Sequence, residues 1–305
     1  MKHAYCIIAH NEPIILQKLI EAIDDDRNDI YLLIDKKTDS NIFTNIKAYK
    51  SKLIYVPQID IRWGDISQIK AELTLFEAAS QQDTYQYYHL LSGVDLPIKS
   101  QDYIHNFMDI NNGKEFVGYA QGEYNKWDLK RKTIHYYILT KYYRSILPIR
   151  GLCKIIRSSL LLLQKIVKYK RSFNIELKKG VNWVSITHEF CIYLLTKKEY
   201  ILNTFKYTLA PDEMFIQTIL WQSPFRKNIY KPNQDFASCM REIDWKRGTP
   251  YIWGSDLNNI NEDLNILKQS DKLFARKFSS QNMDFIDKVL MLINTNHDQV
   301  LENEK

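Results

Sequence analysis

Tyr5-Cys6-Ile7-Ile8-Ala9-His10-Asn11-Glu12-Pro13 sets the fold of this chain. Tyr5 to Ala9 is an apolar run of strand length, read as a strand buried on both faces. His10 to Glu12 break it as a loop. Pro13 fixes its own φ and opens a helix whose Leu16, Leu19, Ile20 and Ile23 fall on one face. The unit then repeats. Ile30 to Ile34 is a second apolar strand ending at Asp35-Lys36-Lys37. Asp39-Ser40 is read as the cap of a helical stretch through Ile46 and Tyr49, and Leu53 to Val56 as a third strand. Arg62-Trp63-Gly64-Asp65 leads into a helix from Ser67 to Ala79, striped by Ile69, Leu73, Phe76 and Ala79. Tyr87 to Leu91 is a fourth strand, followed by Ser92-Gly93-Val94-Asp95-Leu96-Pro97. Strands alternating with helices imply right-handed crossovers and a mostly parallel sheet covered on both faces, an α/β fold. Ligands on such sheets sit beyond the carboxyl ends of the strands. Three polar loops lie there: His10 to Glu12, Asp35 to Lys37 and Ser92 to Asp95.

The second half is less regular. Phe116 to Tyr119 reads as a further strand, and a helix is expected near Thr187 to Thr196. Leu209-Ala-Pro211-Asp212-Glu213-Met214-Phe215 reads as the start of a single helix, with Pro211 in its first turn and both acids favoured by the helix dipole. Leu273 to Phe278 is a short strand interrupted by Arg276 and Lys277. A terminal helix runs from Met283 to Ile293, and the polar tail after it is expected to fray.

With 305 residues, 45% apolar and 26% charged, the chain can bury a full core, and 9 Gly and 8 Pro exclude low-complexity material. Cys6, Cys153, Cys191 and Cys239 are widely spaced and form no Cys-x-x-Cys pair, which points away from zinc and redox motifs and toward a reducing, cytoplasmic setting. The first apolar run is too short for a signal peptide or a membrane span. Charge is uneven. Lys126 to Lys179 holds 15 Lys or Arg against Asp128 and Glu176, a net +13 in a chain of +6, so the remainder carries −7. Three readings of this basic, aliphatic segment stand side by side: peripheral contact with an anionic membrane on its inner face, binding of an acidic glycan, or a solvated helical face. No nucleic-acid motif accompanies it. On this reading the chain divides into an α/β half (1–125), a basic amphipathic helical insertion (126–179) and a second half of the same domain (180–305).

His10-Asn11-Glu12-Pro13, Ile34-Asp35-Lys36-Lys37, Arg62-Trp63-Gly64 with Ser67, and Leu90-Leu91-Ser92-Gly93-x-Asp95-x-Pro97 occur in order along the chain. Gly180-x-Asn182-Trp183-Val184-Ser185, Pro211-Asp212-Glu213, Arg241-x-Ile243-Asp244-Trp245 and Leu273-Phe274-Ala275-Arg276-Lys277-Phe278 follow them. Each motif is weak alone. The ordered set resembles the core-2/I-branching β-1,6-N-acetylglucosaminyltransferase and peptide O-xylosyltransferase family (glycosyltransferase family 14-like), in a bacterial type. The resemblance implies a GT-A fold and inverting transfer of a sugar from a UDP donor to a hydroxyl without a metal ion or other cofactor. GlcNAc is the favoured sugar, with xylose or galactose as alternatives. The acceptor would be a glycan or lipid-linked oligosaccharide.

The same resemblance assigns the residues. Glu213 is the base that takes the acceptor proton, with Asp212 as its rival or as a helix cap. Arg276-Lys277 stands in for a metal at the diphosphate, since Arg binds two phosphate oxygens at once. Asp24-Asp25-Asp26 has the spacing of a metal triplet but follows a helix and reads as a solvated turn. The arginine that branching members carry near the stretch equivalent to Tyr251–Leu257 is missing here, which leans toward the xylosyltransferase-like arrangement. Asp35 is read as either a uridine contact or a turn aspartate. Ser92 and Asp95 are placed at the donor, with Trp63 read as core with some donor contact. Trp245 and Asp212 are placed on the acceptor side, where indole suits sugar C–H faces, and Trp183 either there or in the core. His10 points to structure or a nucleotide contact. Two other classes remain open: a non-catalytic protein that binds anionic surfaces, and a glycoside hydrolase using Glu213 with a second carboxylate.

Overall fold

The computed structural model describes residues 1–302. Four parallel strands, β1 (His3–Ala9), β2 (Asn28–Asp35), β3 (Lys52–Ile59) and β4 (Tyr87–Ser92), pair in the order β3-β2-β1-β4. Helix α1 (Pro13–Ile23) joins β1 to β2, and α2 (Ser67–Gln82) joins β3 to β4. Strand period two sends alternate side chains to opposite faces. Tyr5, Ile7, Ile30, Leu32 and Ile34 pack with Leu16, Leu19, Ile20 and Ile23 of α1. Ala4, Cys6, Tyr31 and Leu33 pack with Ile69, Leu73, Phe76 and Ala79 of α2. Each fully buried aliphatic side chain contributes about 2 kcal/mol. That outweighs the ~1 kcal/mol of a cap, so α1 forms although Glu12 makes no capping bond to it.

β5 (Asp95–Pro97) leaves this sheet for a second one. Helices α3 (Gln101–Ile110), α4 (Gly122–Thr133) and α5 (Ile149–Ile166) follow. β6 (Ser185–Thr187) returns to the main sheet, antiparallel to β4. Then come α6 (His188–Thr196), α7 (Lys198–Phe205), α8 (Phe215–Trp221), β7 (Arg241–Ile243), α9 (Ile260–Gln269), β8 (Phe274–Arg276) and α10 (Met283–Glu302). The second sheet has the order β5-β8-β7, with β5 antiparallel to β8 and Asp95 opposite Arg276. The result is a mixed α/β molecule with a mostly parallel main sheet flanked by helices.

Several local expectations are corrected. The helix expected from Asp39 to Tyr49 is one 3-10 turn, Ser40–Phe43. Of its aliphatic and aromatic side chains only Phe43 and Ile46 are buried, and Asp24 draws the backbone away by accepting the N–H groups of Tyr49, Lys50 and Ser51. The acidic run around Asp25 is likewise structural, since Asp25 pairs with Arg27 at 2.7 Å. Phe116 to Tyr119 forms no strand: Phe116 makes an isolated antiparallel bridge to Ser185. Pro211–Glu213 is a 3-10 turn separated from α8 by Met214 at φ −135°. The cause is tertiary. The Glu213 carbonyl accepts from Gly180 N at 2.8 Å, and Gly180 lies so close to Gly118 that a Cβ would come within 1.8 Å of the Gly118 oxygen. The boundary at 125/126 falls inside α4. The tail expected to fray is helical to Glu302, and 303–305 lie outside the described residues.

Candidate active site

The loops after β1, β2 and β4 open onto a cavity of about 490 Å³, within the range of small-molecule sites. Asp35, Trp63, Ser92, Trp183, Asp212, Glu213 and Arg276 all line it, joined by His10, Gln68, Glu72, Lys141, Arg144 and Asn182. Residues as far apart in sequence as His10 and Arg276, a separation of 266 positions, are thus gathered by strand ends and one turn.

The cationic wall is built by the second sheet. Asp95 is fully buried and does not line the cavity. It accepts from Ser92 N at 2.9 Å and Ser92 Oγ at 2.6 Å. Its place is therefore behind the donor position expected for it. The β5–β8 register brings Arg276 Nε to 3.4 Å from Asp95 Oδ1. Arg276 Nε is buried without a hydrogen-bond partner, and its guanidinium carbon stands 4.2 Å above the Trp183 ring. Trp183, expected toward the acceptor, serves here as a cation–π platform. Burial lowers the Arg276 pKa, and Asp95 opposes that. Lys277 does not line the cavity. Its backbone joins the Tyr251–Trp253 loop, while its charge, with Lys37 and Arg276, adds to partial burial in lowering the His10 pKa against Asp35. Glu12 secures this corner by accepting from Ser279 Oγ at 2.7 Å and Ser280 N at 3.0 Å.

Across the cavity, Glu213 Oε2 accepts from Lys132 Nζ at 2.6 Å, and Lys179 Nζ stands 3.7 Å away. Both lysines also hold Asp128 Oδ2, at 3.0 and 2.8 Å. Burial disfavours the Lys132 charge, yet Glu213 and Asp128 outweigh it and raise its pKa. Burial would raise Asp128, but hydrogen bonds from Lys179, Arg131 and Lys132 hold it well below the carboxylate range. These cations of the basic segment are thus structural parts of the site.

Asp212 is buried, with Oδ2 receiving Gln68 Nε2 at 2.9 Å and Oδ1 unpartnered. Burial, then the Glu213 charge, pushes its pKa up to about 7. Glu72 beside it is fully buried and raised well above its usual value by burial and by Asp212, against a hydrogen bond from Asn182. Burial and the neighbouring Glu213 charge both disfavour ionised Asp212. The folded chain therefore holds a proton on Asp212 to higher pH than the unfolded chain, which releases it near pH 4. Its stabilising contribution is complete below about pH 4 and is lost as pH rises to about 7. Thermal denaturation across that window should show stability declining, and Asp212→Asn should flatten that part of the curve.

At the other end, Asp35 accepts from Lys37 N (3.1 Å), Lys37 Nζ (2.7 Å) and Ile61 N (3.3 Å). Trp63 packs edge-on against Tyr143, with centroids 5.5 Å apart, and lies under the Arg144 guanidinium at 4.4 Å. Trp245 is half exposed and does not line the cavity. The neighbouring Asp244 binds Arg247, which also reaches Asp263 at 2.8 Å and so braces the Tyr251 loop. Sequence reasoning missed Lys132, Lys179, Asp128, Gln68 and Glu72. Asp128, one of two acids in a cationic stretch, was the available signal for the first three; Glu72 stands on α2 with nothing local to mark it.

Residues 3–259 match the model of the Core-2/I-Branching enzyme family, a span that includes Glu213 and its lysines but not Arg276. The chain is 20% identical over 299 residues to xylosyltransferase 2 of Rattus norvegicus, covering 91% of this chain and 32% of that protein. It is 22% identical over 286 residues to xylosyltransferase oxt of Drosophila melanogaster, covering 86% and 30%. This chain therefore spans less than a third of the length of these curated relatives. Among solved structures, mouse xyloside xylosyltransferase 1 in its apo form overlays with a TM-score of 0.40 at 8% identity, over 90% of this chain and 96% of that one. The apo glycosyltransferase GlyE of Streptococcus pneumoniae gives 0.41 at 12%, over 98% and 64%. With most of its length inside the family match, this chain belongs to the Core-2/I-Branching enzyme family of glycosyltransferases.

Proposed function

We propose that the chain is an inverting, metal-independent glycosyltransferase of GT-A type that moves a sugar from a UDP donor to a hydroxyl of a glycan or lipid-linked oligosaccharide. One observation carries this reading. A single cavity is lined by Glu213, whose Oε2 is held by Lys132 while Oε1 is left to a substrate, and by Arg276, a cation whose buried Nε has no hydrogen-bond partner. Inverting transfer needs both. The acceptor O–H gives its proton to Glu213 Oε1 as its oxygen bonds to the anomeric carbon. The bond from that carbon to the β-phosphate oxygen breaks in the same displacement, and the electron pair leaves with UDP. Arg276 meets the charge that develops there.

Lys132 and Lys179 orient Glu213 through Oε2 and leave Oε1 to the acceptor. The Asp35 carboxylate already accepts bonds from Lys37 and Ile61, so its role is to shape the loop at the nucleotide end. UDP-xylose stands beside UDP-GlcNAc as a donor to screen first, because the relatives matched over most of this chain are named xylosyltransferases. Asp24 accepts from the Tyr49 backbone and Asp25 pairs with Arg27, which supports reading the acidic Asp24–Asp26 run as a turn.

The test is UDP-dependent thermal stabilisation in EDTA. At a hundredfold excess over Kd, about 2.7 kcal/mol is gained, or roughly 5 °C for a chain of this size. No shift with UDP would remove the nucleotide-binding assignment. A shift that requires a divalent ion would remove metal independence.

A further inference from the structure

We infer that the outer face of α5 docks on an anionic lipid bilayer. The helix is amphipathic the wrong way round for a core element. Its buried positions are Cys153, Arg157 and Gln164. Gln164 is tied to the Tyr136 backbone at 2.8 and 3.1 Å, and Arg157 lies 4.0 Å over the Tyr143 ring. The apolar residues point outward. Leu152, Ile155, Ile156, Leu163 and Ile166 form one arc at 100° per residue, with Leu152 62% and Ile166 68% exposed. Ile146 and Leu147 extend the patch before the helix and Val167 after it, all exposed.

Charge selects the occupant. From Leu129 to Ile175 the chain has twelve Lys or Arg and no Asp or Glu. Lys154 and Lys165 emerge from the flank of the apolar arc, and Lys168 and Lys170 follow it, all exposed. Two copies of this face would bring like charges together, which disfavours a homodimer. An amphipathic helix with apolar residues on one side and cations beside them suits the boundary between headgroups and acyl chains of anionic lipid. Among the described residues no helix is long and apolar enough to cross a membrane, so the contact is peripheral. The face lies one packing layer from the cavity. Arg157 lies over the Tyr143 ring, Tyr143 packs edge-on against Trp63, and Trp63 lines the cavity with Lys141 and Arg144.

The inference stands apart from the sugar-transfer reading and is tested by co-sedimentation of the full chain with vesicles. Phosphatidylcholine vesicles containing phosphatidylglycerol should pellet the protein, whereas phosphatidylcholine alone should pellet it at least about tenfold less. Replacing Leu152, Ile155, Leu163 and Ile166 with serine removes only exposed side chains. It should cut binding to the anionic vesicles about tenfold or more while leaving the melting temperature and any UDP shift unchanged. Lys154→Gln with Lys165→Gln should weaken binding and its salt dependence together. Equal pelleting of wild type and the serine variant overturns the inference. So does a wild type that stays in solution, or a concentration-dependent dimer that the serine changes abolish.

Discussion

Glu213→Gln is expected to reduce sugar transfer about a thousandfold while leaving the fold and UDP stabilisation intact. Glutamine keeps the shape of the side chain and its contact with Lys132. Lys132 in turn retains Asp128 at 3.0 Å, so no buried cation is stranded. What is lost is the capacity to hold the acceptor proton, and general-base catalysis is worth about 10²–10⁴-fold. Initial rates with the preferred UDP-sugar measure it. Asp212→Asn is the matching control. Asp212 has an unpartnered oxygen and a pKa near neutrality, the two properties a rival base would need. If Asp212→Asn abolishes transfer and Glu213→Gln does not, the proton goes to Asp212, and Lys132 and Lys179 serve to keep Glu213 charged beside it.

The sheet was legible because its signal is local. Four apolar runs with helical patterns between them are enough to place β1 to β4 in a mostly parallel sheet; their order and the residues on each face come from the structure. The loops at the strand ends followed from that topology, and with them the positions of Asp35 and Ser92; Trp63 came from the family resemblance. Less legible was whatever depended on a distant partner. The break after Glu213 is made by Gly180, 33 residues upstream, taking the Glu213 carbonyl. Asp95 looked like a ligand because it sits in a strand-end turn, but pairing with β8 buries it behind Arg276. The basic segment read as one surface, yet it divides by packing. Lys132 and Lys179 turn inward to carboxylates, while α5 keeps its aliphatic residues outside. Spacing alone does not separate these, since an outward apolar stripe and an inward one have the same period.

Arg276→Met should lower transfer about a hundredfold, equal to roughly 3 kcal/mol of barrier, and should abolish most of the UDP-dependent thermal shift. A guanidinium that is 14% exposed, with its Nε 3.4 Å from Asp95 and buried without a hydrogen bond, is poorly compensated. Burying such a charge costs free energy that a single imperfect ion pair does not return. Trp183 beneath it offsets part of that cost, but the rest is recovered only when an anion arrives. Removing the charge leaves the buried Asp95 carboxylate with only its two bonds from Ser92, so a modest loss of unliganded stability is expected, and the loss of the UDP increment is the deciding readout. A purely structural arginine would behave differently: its loss would lower the melting temperature in the absence of UDP but leave the UDP increment unchanged. Arg276→Lys separates charge from geometry. It restores the cation but not the bidentate fork, and should recover part of the UDP shift and less of the rate. If Arg276→Met melts early yet retains its UDP shift and its turnover, the cation that receives the departing diphosphate lies elsewhere in the cavity, and Arg144 and Lys141 are the next to replace.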